Sequence, residues 1–180
     1  IVPAMELPIY GRVTVMRLFR PPGEQQDHLM VLTEALKWTV LRWDCAAATC
    51  AAVQTGDMRD RIGSEYEDAQ MAVVDPLVRC FALHVYQNSL KFVQGDSKKD
   101  SFLVRMNENI ADIQFLHGYD EKPVLGVLYH DSDDGCHFKT FQVALRDKEV
   151  NEGPFQQKDL EATASKLVPI PEPCGGVLVF

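Results

Sequence analysis

The sequence predicts an all-β fold, a partial seven-bladed-type β-propeller of four-stranded antiparallel blades, with about three blades covered. Three observations carry this. Apolar, β-branched and aromatic residues fall into short runs bounded by Pro, Gly, Asp and Asn, which is the signature of strands and tight turns. Strand–turn–strand joints recur near Pro21-Gly23, Asp75-Pro76, Gly118-Pro123 and Pro171-Gly176, at a spacing of roughly 50 residues that suits one propeller blade per repeat. The chain starts at Ile1-Val2-Pro3 and stops inside the apolar run Val177 to Phe180, so the expected domain is incomplete at both ends.

The elements follow in order. Val13 to Phe19 alternates small and large apolar positions and ends at Arg20-Pro21-Pro22-Gly23. His28 to Thr33 and Lys37 to Trp43 read as a hairpin, with Trp43-Asp44 closing the third strand of its blade. The alanine-rich stretch Ala46 to Ala52 is too short for a stable isolated helix and reads as a fourth strand. Strands are next expected at Ala72 to Val74, Cys80 to Tyr86 and Leu90 to Val93, then Ile110 to Leu116, Val124 to Tyr129 and His137 to Leu145. Leu167 to Ile170 and a run from Val177 complete the set. Lys158 to Lys166 is polar and rich in helix formers, and is expected to make one or two helical turns. Asn107 to Asn109 and Asp131 to Gly135 read as turns.

Composition limits the function classes. The chain has 180 residues and a formal net charge of -8, which disfavours non-specific nucleic-acid binding, since that needs cation–phosphate contacts. Its 5 cysteines (Cys45, Cys50, Cys80, Cys136 and Cys174) are odd in number and form no C-x-x-C pair, so neither a disulfide framework nor a zinc site is indicated. A reducing compartment is expected, with Cys80 a small buried hydrophobe. No apolar window is long enough to cross a membrane.

The candidate chemistry is sparse. His130-Asp131-Ser132-Asp133-Asp134-Gly135-Cys136-His137 has the residue types of a metal site. Counted from Asp131 as an EF-hand loop, however, the glycine position falls on Cys136 and the bidentate glutamate position on Gln142. The simpler reading is a solvated hairpin tip, so no metal or cofactor is expected. A propeller enzyme would need His130, Asp131 and His137 to meet a carboxylate of another blade. No nucleophile, phosphate-loop or zinc-protease motif occurs, and a non-catalytic chain is expected. Phe19, Trp38, Phe81, Phe92, Phe115 and Phe141 sit inside strand-like runs and are expected to pack blade against blade. The loop from Gly56 to Ser64 mixes charges of both signs. Its Arg59, Asp60 and Arg61 are the candidate protein-interface residues, because directional charge pairs suit contacts with a partner.

Several of these segments resemble one family, in order along nearly the whole chain. Leu18-Phe19-Arg20-Pro21 with Gly23-Glu24 and Asp27, Asp60-Arg61-Ile62-Gly63, and Asp75-Pro76 with Arg79 are similar to motifs of the large subunit of damage-specific DNA-binding protein. So are Phe115-Leu116-x-Gly118, the stretch Lys139 to Glu149 with Gly153-Pro154, and Pro171-Glu172-Pro173-x-Gly175-Gly176. Ser64-Glu65, Phe155 and His117 depart from the family pattern, which has Arg-Pro, Trp and Tyr there. The resemblance implies that residues 1–180 form part of a single N-terminal β-propeller, the first of three. It implies a non-catalytic adaptor of a cullin-4 ubiquitin ligase, acting in DNA-damage recognition and repair. Its partners would be WD-type substrate receptors, cullin-4 through another propeller, and DNA mainly through a partner subunit, in nucleus and cytoplasm. A related RNA-processing scaffold, of the cleavage/polyadenylation or splicing type, is the alternative.

Overall fold

The structure, a computed structural model, describes residues 6–59, 70–95 and 100–180. No helix occurs among them. In the first blade, β1 (Val13–Phe19), β2 (His28–Thr33), β3 (Lys37–Asp44) and β4 (Thr49–Asp57) pair antiparallel in sequence order. The second holds β5 (Met71–Val74), β6 (Cys80–Tyr86), β7 (Ser89–Gln94) and β8 (Ser101–Arg105) in the same order. The third holds β9 (Asn109–Phe115), β10 (Val124–His130), β11 (Cys136–Ala144) and β12 (Glu149–Leu160). A two-stranded sheet of β13 (Leu167–Pro169) and β14 (Val177–Val179) follows.

First strands neighbour first strands: β1 lies against β5, β5 against β9 and β9 against β13. They form the inner edge, and each blade runs outward from it, as in a propeller. The four joints read from the sequence all fall at one structural position, the turn between the first and second strand of a sheet.

Burial follows from this stacking. A middle strand has a blade on either side, so both of its faces must be apolar. All seven residues of β6 are buried, and Val124 to Leu128 of β10 likewise. One core cluster joins Val15, Leu32, Trp38 and Val40 of the first blade to Phe81, Leu83 and Val85 of the second. The next joins Cys80, Ala82, Leu90 and Phe92 to Ile113, Phe115, Leu125 and Val127 of the third. From Cys80 to Leu83, β6 thus alternates residue by residue between two cores, and Val85 and Tyr86 both join the first. The third cluster joins Leu128, Cys136 and Phe138 to Ala164 and Leu167. The aromatic residues pack as expected, with Phe81 5.7 Å from the Phe19 ring and 5.6 Å from the Trp38 ring.

Two local expectations are corrected. Lys158 to Lys166 is not helical: β12 continues to Leu160, and Ala164 N–H closes a turn on Glu161 O at 2.9 Å. So short a run cannot offset the cost of helix nucleation, and Ser165 and Lys166 both donate to Phe180 O instead. In Ala46 to Ala52, the first half is a turn. Asp44 Oδ1 accepts the N–H of Ala46 and of Ala47, at 2.9 and 3.2 Å, and the strand starts only at Thr49.

Candidate protein-interaction surface

The register of the first blade separates its two ends. Val13 pairs with Thr33 and Lys37 with Asp57, so β1 begins where β4 finishes. Phe19 pairs with His28 and Asp44 with Thr49 at the opposite end.

At the first end the chain leaves β4 through Met58 and Arg59. Met58 is buried, and its N–H donates to Leu36 O at 2.7 Å. Its carbonyl accepts two hydrogen bonds from the second blade, from Tyr86 Oη at 2.8 Å and from Lys91 Nζ at 3.0 Å. Both lone pairs of one carbonyl are therefore used to fix the root of the loop. Arg59 then turns back on Asp57: its backbone N–H and its Nε both donate to Asp57 Oδ1 at 3.0 Å. These bonds, the side-chain one above all, hold the Asp57 carboxyl down to about 2. Arg59 is solvent-exposed. Asp60 and Arg61 lie outside the described residues.

Tyr86 and Lys91 were not among the residues singled out from the sequence. Lys91 left a signal there, as a lone charge inside an apolar strand. Nothing local points to its acceptor, 33 positions away.

The aspartate-rich segment is the turn between β10 and β11. Asp131 Oδ1 accepts the N–H of Asp133 and of Gly135, each at 2.9 Å. Its Oδ2 lies 2.7 Å from His137 Nε2. His137 Nδ1 accepts the N–H of Asp159 at 3.1 Å, which places the imidazole proton on Nε2, as donor to Asp131. The hydrogen bond from His137, with those from the backbone, holds the Asp131 carboxyl below its usual range. Asp131 and His137 thus meet as the internal tie of a hairpin tip. Among the described residues no group of three or more His, Cys, Asp or Glu side chains is placed to hold a metal ion.

At the opposite end lie the turns between first and second strands, and a polar contact links the second blade's turn to the third's. Asp75, fully buried, accepts Arg79 Nε at 2.7 Å and NH2 at 2.9 Å in a bidentate pair. Arg79 NH1 reaches across to Asp120 O, in the following turn, at 2.8 Å. That turn contains Gly118 at φ +85, where an added Cβ would stand 3.2 Å from Glu172 Oε1 of the turn beyond. Gln94 Nε2 to Leu145 O at 3.1 Å and Lys148 Nζ to Asp100 Oδ1 at 2.8 Å tie the second blade to the third further out.

A family model described as the RSE1/DDB1/CPSF1 first β-propeller matches residues 2–180. The chain belongs to this family. Among its relatives, DNA damage-binding protein 1 of Solanum lycopersicum is 42% identical over 182 residues, covering 99% of this chain and 17% of the relative. DNA damage-binding protein 1b of Arabidopsis thaliana is 41% identical over 180 residues, covering 98% and 16%. The Oryza sativa subsp. japonica protein named DNA damage-binding protein 1 is 41% identical over 182 residues, covering 99% and 17%. The chain therefore spans about a sixth of the length of the relatives it matches.

Four of the RSE1/DDB1/CPSF1-type motifs read from the sequence cluster at one end of the molecule. Leu18 to Pro21 and Phe115 to Gly118 run from a first strand into the turn after it, while Asp75-Pro76 with Arg79 and Pro171 to Gly176 lie within such a turn. The fifth, Lys139 to Glu149, runs through β11 and its outward turn. Asp60-Arg61-Ile62-Gly63 lies outside the described residues.

Proposed function

We propose that this chain is part of the first, N-terminal propeller of a non-catalytic scaffold, one that joins WD-type substrate receptors to a cullin-4 ubiquitin ligase. The observation that carries the proposal is the 42% identity to DNA damage-binding protein 1 over 99% of the chain, within a matching first-propeller family. In this reading residues 1–180 contribute to receptor binding, while cullin-4 attaches through another propeller of the longer protein. DNA is met mainly through a partner subunit, in keeping with the net charge of -8. The site of action is the nucleus and the cytoplasm, a setting in which five free cysteines persist. Arg59, Asp60 and Arg61 are the proposed receptor contacts. The carbonyl of Met58, held by Tyr86 and Lys91, gives that loop a fixed origin.

The test is quantitative affinity purification of the full-length protein. Recovery of cullin-4 with WD-type receptors is expected, and charge reversal at Arg59, Asp60 or Arg61 should weaken receptor recovery without unfolding the protein. Recovery of RNA-processing factors in place of the ligase would overturn the reading in favour of the related scaffold.

A further inference from the structure

The first strands β1, β5, β9 and β13 bring their ends together around a cavity of about 500 Å³. Its polar lining comes from Arg17, Arg20, Asp75, Gln114 and His117. Among the described residues Asp75 is the only carboxylate in that lining, and Arg79 takes both of its oxygens. The cations keep capacity to spare. Arg17 donates Nε to Ala72 O at 2.9 Å and NH1 to Met16 O at 3.2 Å, and pairs with no carboxylate among the described residues. Those bonds orient its guanidinium and leave part of the five-donor fork open. Arg20 meets Asp27 through Nε, at 2.7 Å, and its side chain stays 58% exposed. The mouth is therefore rich in donors and poor in acceptors, on a chain whose net charge is -8.

We propose that this axial mouth, edged by Arg17, Arg20, Gln114 and His117, receives the carboxylates of an acidic peptide segment of a partner protein. A concave site in which Arg17 has no carboxylate partner among the described residues and Arg20 engages Asp27 through Nε alone focuses the field on an approaching negative group. The arginine fork matches a carboxylate in two parallel hydrogen bonds. The volume lies within the range of pockets that enclose small ligands, so it accommodates a few side chains. A nucleic acid is the poorer fit, because phosphate binding gains strength from many cations along a track and the rest of this chain is acidic. The proposal rests on the scaffold reading for the source of the peptide, and on the mouth itself for the binding chemistry.

The experiment is fluorescence anisotropy of a labelled hexaglutamate peptide with the full-length protein, hexaglutamine serving as the neutral comparison. Hexaglutamate should bind, more weakly as salt is raised, and hexaglutamine should not. Arg17→Gln should raise the Kd by about tenfold or more, the usual effect of losing a charge-assisted hydrogen bond. Because Arg17→Gln also removes the bond to Ala72 O, the variant Arg20→Gln/His117→Gln, which keeps that bond, is measured beside it and should weaken binding as well. Equal binding of the two peptides overturns the proposal, as does unchanged affinity in both variants. Displacement of hexaglutamate by a single-stranded oligonucleotide at lower concentration overturns the choice of ligand. Partner recovery from the full-length protein is read separately. Its loss with hexaglutamate binding intact defeats the scaffold reading alone, and intact recovery with no hexaglutamate binding defeats the mouth alone.

Discussion

Asp75 and Arg79 show how much one side chain can carry. The Asp75 carboxylate is out of contact with water, and Arg79 supplies its side-chain hydrogen bonds and a backbone N–H at 3.1 Å. Arg79→Ala leaves that charge buried without its partner and should lower the unfolding free energy by about 3–5 kcal/mol, as read by urea denaturation. Arg146→Ala, on an exposed turn, should cost less than about 0.5 kcal/mol. Equal costs would mean that the pair contributes no more than a surface charge. His84 gives the chain an acid limb of its own. Burial lowers its imidazole from 6.5 to about 4. Between those values the unfolded chain binds more protons than the folded one, so stability should fall as pH drops from 6.5 towards 4. His84→Leu should flatten that interval. Asp57, held down to about 2 by Arg59, acts in a separate window: its contribution is complete above about 4 and lost as pH falls towards 2. An unchanged profile between pH 6.5 and 4 in His84→Leu would assign that limb to other groups. The Asp75–Arg79 motif stood in the sequence as one local stretch and could be read there. Tyr86 and Lys91 could not be linked to Met58, because that contact joins positions 28 and 33 residues apart.

Among the elements, the middle strands were the most legible and the outer ones the least. β6 and β10 are unbroken apolar runs because a blade covers each of their faces. β8 and β12 were not read as strands at all. β12 has one paired neighbour, and its twelve residues are mostly exposed, so neither alternation nor apolar content marks it. It also departs from regular pairing. The register against β11 shifts between Lys139 and Phe141, where the chain reads Gly153-Pro154-Phe155. Thr140 Oγ1 bridges the irregularity, accepting Phe155 N–H and donating to Phe155 O, both at 2.9 Å. An added Cβ on Gly153 would come within 2.3 Å of that hydroxyl and 2.6 Å of the Thr140 carbonyl carbon. Thr140→Val should therefore cost about 1–3 kcal/mol and speed hydrogen exchange at the Phe155 amide. Gly153→Ala should force β12 away from β11. If exchange at Phe155 is unchanged in Thr140→Val, the hydroxyl is not what holds the bulge.

At the scale of the whole molecule, stability is stored between blades rather than within them. Leu32 and Leu125 belong to different clusters, yet both are fully buried, and Leu→Ala at either should cost about 2–5 kcal/mol. Phe155→Ala, at a site 53% exposed, should change stability by less than about 0.5 kcal/mol. Denaturation midpoints check all three, and a large loss at Phe155 would contradict the assignment of the rim as solvated. The blade period was legible because every joint repeats the same turn position. The axial mouth was not, because Arg17 and His117 are a hundred positions apart. The order of strands within each blade also sets how the molecule should respond to traction. A strand pulled off the rim peels away from a single neighbour, one hydrogen bond after another. An inner strand must shear its bonds together and slide past two other blades. A motor drawing on β12 should therefore meet little resistance at first and a steep rise once β11 and β10 are engaged. Single-molecule force traces that rise before the rim has yielded would place the weak line elsewhere.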